Sequence, residues 1–338
     1  MKTQPPLVSI IIVNYNGINF VKKCLNSVLR SNFLNFEVIF FDNASSDGSS
    51  DFAESTFNSD PRLKIICSPT NVGLGNGCNV CADKSEGKYL LFLDVDTEID
   101  SNCINEIFKV LEKNPDIGAG QCELLRMNDR KTYHSAGIFL DSIGFGYVKG
   151  TGAPRGTYDH IYNIFSAVGA ALFIRSDVFR EIGGFDKDFF ILNEEIDLCW
   201  KVWLYGYRVV YVPNAVVYHN IGYASGKIVK REFVYLTYRN WILSKLKNYE
   251  LVELVKRLPP YTLLLFGYGL VNIRKSYMQA IISAIFYNIV HLRRTWRKRL
   301  NIQRMRKVSD KELMRNGIIW KFDLRRTLNL LERYRDTA

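Results

Sequence analysis

Lys88-Tyr-Leu-Leu-Phe-Leu-Asp-Val-Asp-Thr97 is an apolar run that stops abruptly at two carboxylates, Asp94 and Asp96. Tyr89 to Leu93 is short, uninterrupted and apolar, which suits a strand buried on both faces of a parallel sheet better than a helix of ordinary length. The two Asp residues then stand at its carboxyl end, the edge where ligands bind in open α/β sheets. Hard oxygen ligands there suit Mg2+ or Mn2+ bridging a phosphate, so Asp94-Val-Asp96 reads as a metal and diphosphate site. The same triplet would also serve as an acidic turn that ends the strand and caps a helix beginning near Asp100. The rest of the chain has to decide between the two.

Working outward, the strand is the fourth in a regular alternation. Leu7 to Val13 is a β-rich apolar run, followed by the turn Asn14-Tyr-Asn-Gly17 and a helix-period stretch from about Ile18 to Leu29. Phe36 to Phe41 is a second strand that stops at Asp42-Asn-Ala-Ser-Ser-Asp-Gly48. Arg62 to Cys67 is a third, closed by Asn71-Val-Gly-Leu-Gly-Asn-Gly77 before a helix to about Ser85. Strands alternating with helices of about 10 to 15 residues predict right-handed βαβ units, hence an α/β fold with a mostly parallel sheet and helices on both faces. Each strand ends in a polar turn, and the four turns gather on one edge to form a nucleotide-sized site.

The dinucleotide fingerprint is missing, because the first strand leads into Asn14-Tyr-Asn-Gly17 and Gly73-x-Gly75-x-Gly77 lacks the required final spacing; there is no Walker loop either. Gly73, Gly75 and Gly77 permit either a tight turn at a helix start or close approach of backbone to a ligand. Their place between two other ligand-edge turns favours the second.

Val8 to Gly17, Asp42-Asn-Ala-Ser-Ser-Asp-Gly-Ser49, Asn71-Val-Gly-Leu-Gly-Asn-Gly-Cys-Asn79 and Leu93-Asp-Val-Asp-Thr97 occur in an order that resembles the family 2 glycosyltransferases, specifically their rhamnosyltransferase-like members. The resemblance spans nearly the first 225 residues, and four ordered motifs make it specific. It implies an A-type glycosyltransferase fold with a Rossmann-like nucleotide half, a nucleotide-sugar donor, a divalent metal and inversion at the anomeric carbon. On that resemblance Asp42 corresponds to the carboxylate that holds the nucleotide base, Asn14 and Asn71 to donor-site turn residues, and Asp94 and Asp96 to the metal motif.

Leu124 to Phe165 has little periodicity and reads as loops on the acceptor side. Ala167-Val-Gly-Ala-Ala-Leu-Phe-Ile-Arg175 reads as a strand, and Ser176 as the cap of a short helix ending at Gly183-Gly184. Phe189-Phe-Ile-Leu-Asn-Glu-Glu-Ile-Asp-Leu-Cys-Trp200 follows, with Glu195 and Asp197 in the first turn of a helix starting near Glu194, where the helix dipole alone favours acids. The resemblance places an acidic pair there, usually Glu-Asp, whose second member is the catalytic base. This chain departs from it with Glu195 where Asp is usual, a shift of the oxygens by roughly 1 Å. Glu195 is favoured as the base over Asp197. His219 ends another apolar run, Ala215-Val-Val-Tyr-His-Asn220; by default a partly buried structural imidazole, it corresponds on the resemblance to a metal ligand.

The 338 residues exceed one average domain, and a hydrophobic content of 47% fills a real core. Leu7 to Val13 is too short for a signal peptide and lacks a small-residue cleavage site, so the bulk of the chain is expected in the cytoplasm. Seven scattered cysteines make no disulfide framework; Cys78-x-x-Cys81 has no second pair and reads as small core-facing residues. The net charge of +11 is localised: Lys227 to Lys311 holds 19 Lys and Arg against four acids, and the remainder 26 against 30. Such a concentration calls for a polyanion, either nucleic acid or an anionic membrane.

Two uncharged runs in that segment, Leu258 to Ile273 and Ser276 to Leu292, are 16 and 17 residues long and separated by Arg274-Lys275. Each is short of the roughly 20 apolar residues a spanning helix needs. Amphipathic helices lying in the interface, or a shallow re-entrant hairpin, fit better, with Tyr261, Tyr268, Tyr277, Tyr287 and Trp296 as aromatics suited to that depth. A second globular subdomain or dimerisation helices is the other reading. Three segments result: a catalytic domain over 1–225, a basic membrane-associated segment over 226–300, and soluble helices over 301–338 in which Ser309 is a cap.

The reading is an inverting, metal-dependent glycosyltransferase at the cytoplasmic face of the cell membrane, peripheral or monotopic. It takes a UDP- or dTDP-linked sugar for preference and delivers it to a hydroxyl of a lipid-linked glycan in polysaccharide or envelope biosynthesis. A sugar nucleotidyltransferase shares the fold class but would normally show a Gly-rich basic loop after the first strand. A nucleic-acid-binding protein would account for the charge but not for long apolar runs lacking interleaved stacking aromatics.

Overall fold

The computed structural model describes residues 5–222, 228–272 and 276–328. Arg274 and Lys275, between the two apolar runs, and the last residues of the tail lie outside them. The chain divides into two compact units, one of residues 1–137, 149–202 and 207–221, the other of 138–148, 203–206 and 222–338.

The first unit opens with β1 (Val8–Asn14), α1 (Ile18–Leu29), β2 (Phe36–Asp42), α2 (Ser49–Phe57), β3 (Leu63–Cys67), α3 (Leu74–Asp83) and β4 (Tyr89–Asp94). The four strands are parallel in the order β3-β2-β1-β4, in register so that Asn14 lies beside Asp42 and Val13 beside Asp94. Side chains alternate across a strand, and both faces are covered. Ile10, Ile12, Val38, Phe40, Leu91 and Leu93 pack with Val21, Cys24, Leu25 and Val28 of α1. On the other face Gly77 of α3 sits against Val13 and Phe41, and Phe92 meets Phe179 and Phe185. Burial on both sides is why β1, β2 and β4 read as near-continuous apolar runs rather than alternating ones, while β3 at the edge of the sheet is only partly buried. Cys78 and Cys81 are buried on α3.

Past β4 come β5 (Thr97–Ile99), α4 (Cys103–Lys113), β6 (Ile117–Arg126), β7 (Tyr133–Ser135), then β8 (Ile138–Asp141) and β9 (Gly146–Val148) of the second unit. The first unit resumes with β10 (Tyr162–Asn163), β11 (Ala171–Arg175), α5 (Ser176–Glu181), α6 (Glu194–Leu204) and β12 (Arg208–His219). Here the expected mostly parallel sheet gives way to a mixed one. β11 lies antiparallel between β4 and β6, β12 is parallel to β6, and β5, β7 and β10 add antiparallel pairs. The chain enters β11 from the carboxyl edge of β4 without a crossover helix, which forces the reversal. The stretch Leu124 to Phe165, expected to be loops, holds the end of β6 and four strands of two to four residues, too short to show a period. β11 begins at Ala171 rather than Ala167.

The second unit contains α7 (Lys230–Asn248), α8 (Leu251–Val271), α9 (Tyr277–Val290), α10 (Leu292–Met305), α11 (Asp310–Arg315) and β13 (Ile319–Trp320), the last extending the β8-β9 pair to three strands. Its core is built around a buried lysine. Lys245 of α7 is fully buried, donates to the Gly144 carbonyl at 2.8 Å and lies under the Tyr261 ring at 3.6 Å. Tyr261, Tyr268 and Tyr277, expected at a membrane interface, are instead buried between helices, because a large ring fills the space among α7, α8 and α9; Trp296 stays 38% exposed. Residue 300 falls inside α10, and α11 and β13 belong with the preceding helices. Ser309 caps α11, its hydroxyl accepting from the Glu312 N–H at 3.1 Å.

Candidate active site at the carboxyl edge of the sheet

Asp94 closes β4, and Val95 and Asp96 turn the chain into β5, with Thr97 Oγ1 donating to the Asp94 carbonyl at 2.7 Å. Antiparallel pairing of β5 with β12 puts Thr97 opposite His219, and the Asn220 N–H donates to the Asp96 carbonyl at 3.0 Å. His219 Nε2 therefore stands 3.4 Å from Asp96 Oδ1 and 3.9 Å from Asp94 Oδ2. One donor atom from each of the three lies within 4.8 Å of the others. Two carboxylate oxygens with one imidazole nitrogen form a donor set that fits Mg2+ or Mn2+. The electrostatics agree. Burial, then the Asp96 charge, push the Asp94 carboxyl up to about 6 against the opposing effect of His219. For His219, burial works against the imidazolium, but Asp96 and Asp94 outweigh it and raise the group above its ordinary value. A divalent cation would favour the ionised form of Asp94 and take the place of the His219 proton.

α6 starts at Glu194 and brings its first turn to the same corner. Glu195 is half-buried against Gly169, where an added Cβ would lie 3.8 Å from the Glu195 Cβ. The neighbouring Ala170 carbonyl accepts from the Asp94 N–H at 3.4 Å. Burial first, and the Asp94 charge as well, raise Glu195 to about 7, the range useful to a base near neutral pH. Glu194 is buried, and burial followed by the charge of Glu195 pushes it well above the carboxylate range. Asp197 is fully buried, with Lys201 Nζ at 4.0 Å; that amine also donates to the Gly184 carbonyl at 2.6 Å and the Ile182 carbonyl at 3.2 Å.

The ends of β1 and β2 form a polar knot. Asn14 Nδ2 donates to Asp42 Oδ1 at 2.8 Å and Ser49 Oγ at 2.7 Å, and Asp42 Oδ2 accepts from the Ser45 N–H at 2.9 Å. Asn71 Oδ1 accepts from Asn43 Nδ2 at 3.0 Å and from the Gly73 N–H at 2.9 Å, shaping the turn into α3. Beside the close approach to a ligand expected of them, the three glycines have reasons within the protein. Gly73 has φ of 84°, and an added Cβ would meet the Phe190 carbonyl oxygen at 2.4 Å; at Gly75 it would meet Phe185 at 3.2 Å and at Gly77 Val13 at 3.1 Å.

One residue of this corner carried no sequence signal. His134 of β7 sits with its Nδ1 2.9 Å from His219 Nδ1, in a stretch without periodicity. Being one of four histidines was its only mark.

A family model described as glycosyl transferase family 2 matches residues 9–183. The poly-beta-1,6-N-acetyl-D-glucosamine synthase of Staphylococcus epidermidis is 24% identical over 224 residues, 66% of this chain and 52% of that protein, so this chain spans about half the length of that relative. Among solved structures, S. aureus TarS 1-349 in complex with UDP is similar with a TM-score of 0.53 and 18% identity over 94% of both chains. The mannosyltransferase PcManGT from Pyrobaculum calidifontis, in complex with GDP-Man and Mn2+, is similar with a TM-score of 0.55 and 16% identity over 85% of this chain and 88% of that one. These likenesses are of fold. With more than half of its length matched by the family model, the chain belongs to the family 2 glycosyltransferases and carries their A-type fold.

Proposed function

We propose that this glycosyltransferase moves a sugar, with inversion, from a nucleoside diphosphate to a hydroxyl of a lipid-linked glycan. The observation that carries the reading is the convergence of Asp94, Asp96, His219 and Glu195 where β4, α6 and β12 meet the carboxyl edge. Asp94, Asp96 and His219 would hold Mg2+ or Mn2+, which when bound supplies positive charge opposite the departing diphosphate. Glu195 accepts the proton of the acceptor hydroxyl, sharpening the attacking oxygen, and its raised pKa keeps that proton transfer favourable near neutral pH. Attack from the side opposite the diphosphate, through an oxocarbenium-like state, inverts the anomeric carbon. Asp197, buried beside Lys201, stabilises α6 and leaves the proton to Glu195. Asp42 accepts the imide N–H that uracil and thymine offer and adenine lacks, since each carboxylate oxygen can take a second hydrogen bond. The complexes of TarS with UDP and of PcManGT with GDP-Man and Mn2+ support a metal-bound nucleotide donor for this chain.

The lipid-linked acceptor rests on α8 to α10. Leu263, Phe266 and Leu270 form one exposed apolar row, Ile282, Phe286 and Ile289 another, each at helical spacing. Leu263 is 72% exposed and Phe286 65%, beside the exposed Arg293, Arg294 and Arg297. No helix among the described residues is long and apolar enough to cross a membrane. Apolar rows flanked by arginines suit helices lying in an anionic surface, such as the cytoplasmic leaflet, where lipid carriers are met by lateral diffusion.

Calorimetry with UDP, dTDP, GDP and ADP in the presence of Mn2+, alongside donor hydrolysis with and without a chelator, tests the reading. UDP or dTDP should bind tightest, and hydrolysis should vanish with chelator and return with Mn2+ or Mg2+. Tightest binding of ADP, or undiminished hydrolysis in chelator, overturns it.

A further inference from the structure

His219 touches the carboxylates through Nε2, and its other ring nitrogen faces a second imidazole. Nδ1 of His134 lies 2.9 Å from Nδ1 of His219, with ring centroids 4.8 Å apart and planes 43° apart. The contact is built into the sheet. β7 pairs with β6 so that Ser135 lies opposite Leu124 and Tyr133 opposite Leu125, which leaves His134 as the extra residue of a β-bulge. A bulge turns its extra side chain out of the ordinary alternation. β6 in turn pairs with β12, placing Arg126 beside His219. Without the bulge, His134 would follow the alternation of its neighbours.

We propose that His134 is a positioning residue that fixes the tautomer of His219, so that His219 presents the Nε2 lone pair to the cation. The inference rests on the metal-site reading of Asp94, Asp96 and His219. Two imidazole nitrogens at 2.9 Å share one proton, one donating and the other accepting. Were that proton on His134, His219 would carry its own on Nε2, pointing it at the space the cation occupies. With the proton on His219 Nδ1, Nε2 is free to ligate, His134 Nδ1 accepts, and the proton of His134 sits on its own Nε2. His219 is 8% exposed, so water has little access to replace the missing acceptor if His134 is removed. Metal-bound imidazoles generally donate through their second nitrogen to a carboxylate, carbonyl or water; a neutral imidazole fills that place here and leaves the net charge of the site unchanged.

The test uses the full chain and Mn2+ alone as probe, with free ion counted by electron paramagnetic resonance. His134→Phe keeps a ring of similar size but removes the acceptor, and should weaken Mn2+ binding by about 10- to 100-fold, the usual worth of such a partner. His134→Asn sets an amide oxygen near the position of Nδ1 and should restore affinity to within about threefold of the parent, a rescue a purely packing role does not predict. In the Mg2+-loaded parent, long-range proton–nitrogen correlation spectra should show His219 protonated at Nδ1. If Asp96→Ala loses the ion while His134→Phe keeps it at parent affinity, the positioning role falls and the metal site stands. If the parent and Asp96→Ala take up Mn2+ alike, the metal-site reading falls and this role with it. Should His134→Phe fail to fold, the nitrogen spectrum still decides, because an Nε2-protonated His219 in the Mg2+-loaded parent overturns the proposal.

Discussion

At the carboxyl edge of the sheet, Asp94, Asp96, Glu195 and His219 arrive from three separated stretches, close enough that Asp94, Glu195 and His219 leave their ordinary protonation ranges. On α7 to α10 the pattern is reversed: Lys245 and Arg299 are buried singly against backbone carbonyls, while Leu263, Phe266, Ile282 and Phe286 face outward. The first region gathers carboxylates around one imidazole, an arrangement suited to a cation. The second carries apolar area that nothing in the described chain covers, and which an apolar phase would cover. Electrostatic strain gathered at a point fits a small charged ligand; apolar exposure spread along rows fits an extended surface.

The comparison breaks most easily at its charged end. Asp96→Ala should reduce metal-dependent transfer by about 1,000-fold or more, since metal stabilisation of a leaving group is worth several kcal/mol. Transfer rates over a Mn2+ titration check this; parent-like activity would mean that the acids form a turn and not a site. Glu195→Gln should lower turnover about 100-fold with nucleotide binding nearly unchanged. For the parent, activity should rise with pH to a plateau above about 7, as Glu195 gives up its proton, and the rise should be lost in the variant.

The same group gives a stability test of opposite sign. Its carboxyl is raised in the folded state from 4.5 to about 7, so the folded protein holds that proton more tightly than the unfolded chain does. Stability from this group is present below pH 4.5 and lost as pH rises through about 7. Glu195→Gln, which does not ionise, should therefore gain melting temperature relative to the parent between pH 5 and pH 8. An unchanged difference across that range would place Glu195 in solvent.

The apolar end sharpens the contrast. Replacing Leu263, Phe266 and Phe286 by Ser should weaken binding to anionic vesicles about 30-fold or more, as each side chain loses up to roughly 2 kcal/mol of burial, while donor hydrolysis in solution stays unchanged. Equal sedimentation of parent and variant with vesicles would leave the rows to some other partner. The smallest effect on turnover is expected at Asp197. Asp197→Asn should cost about 3 kcal/mol of stability by leaving Lys201 buried without its carboxylate, yet change the activity of the folded fraction less than threefold. A dead but stably folded Asp197→Asn would transfer the role of base from Glu195 to Asp197.

Much of this was legible before any coordinates. The runs Leu7 to Val13, Phe36 to Phe41 and Lys88 to Leu93 announced the nucleotide half, because strands buried on both faces are apolar nearly throughout and end where solvent begins; the partly exposed Arg62 to Cys67 was placed by its position in the alternation of strands and helices. Asp94, Asp96 and the start of α6 at Glu194 could likewise be placed from local pattern alone. Tertiary structure decided the rest. The antiparallel insertion of β11, the short strands between β6 and β10, and the burial of Tyr261, Tyr268 and Tyr277 depend on partners distant in the chain, which no local period records. The β5–β12 register brings His219 to Asp96, and a one-residue bulge turns His134 to His219. Residue type determines what an imidazole or a carboxylate can do; strand pairing alone determines which of them meet, because a shift of one residue sends a side chain to the opposite face of the sheet.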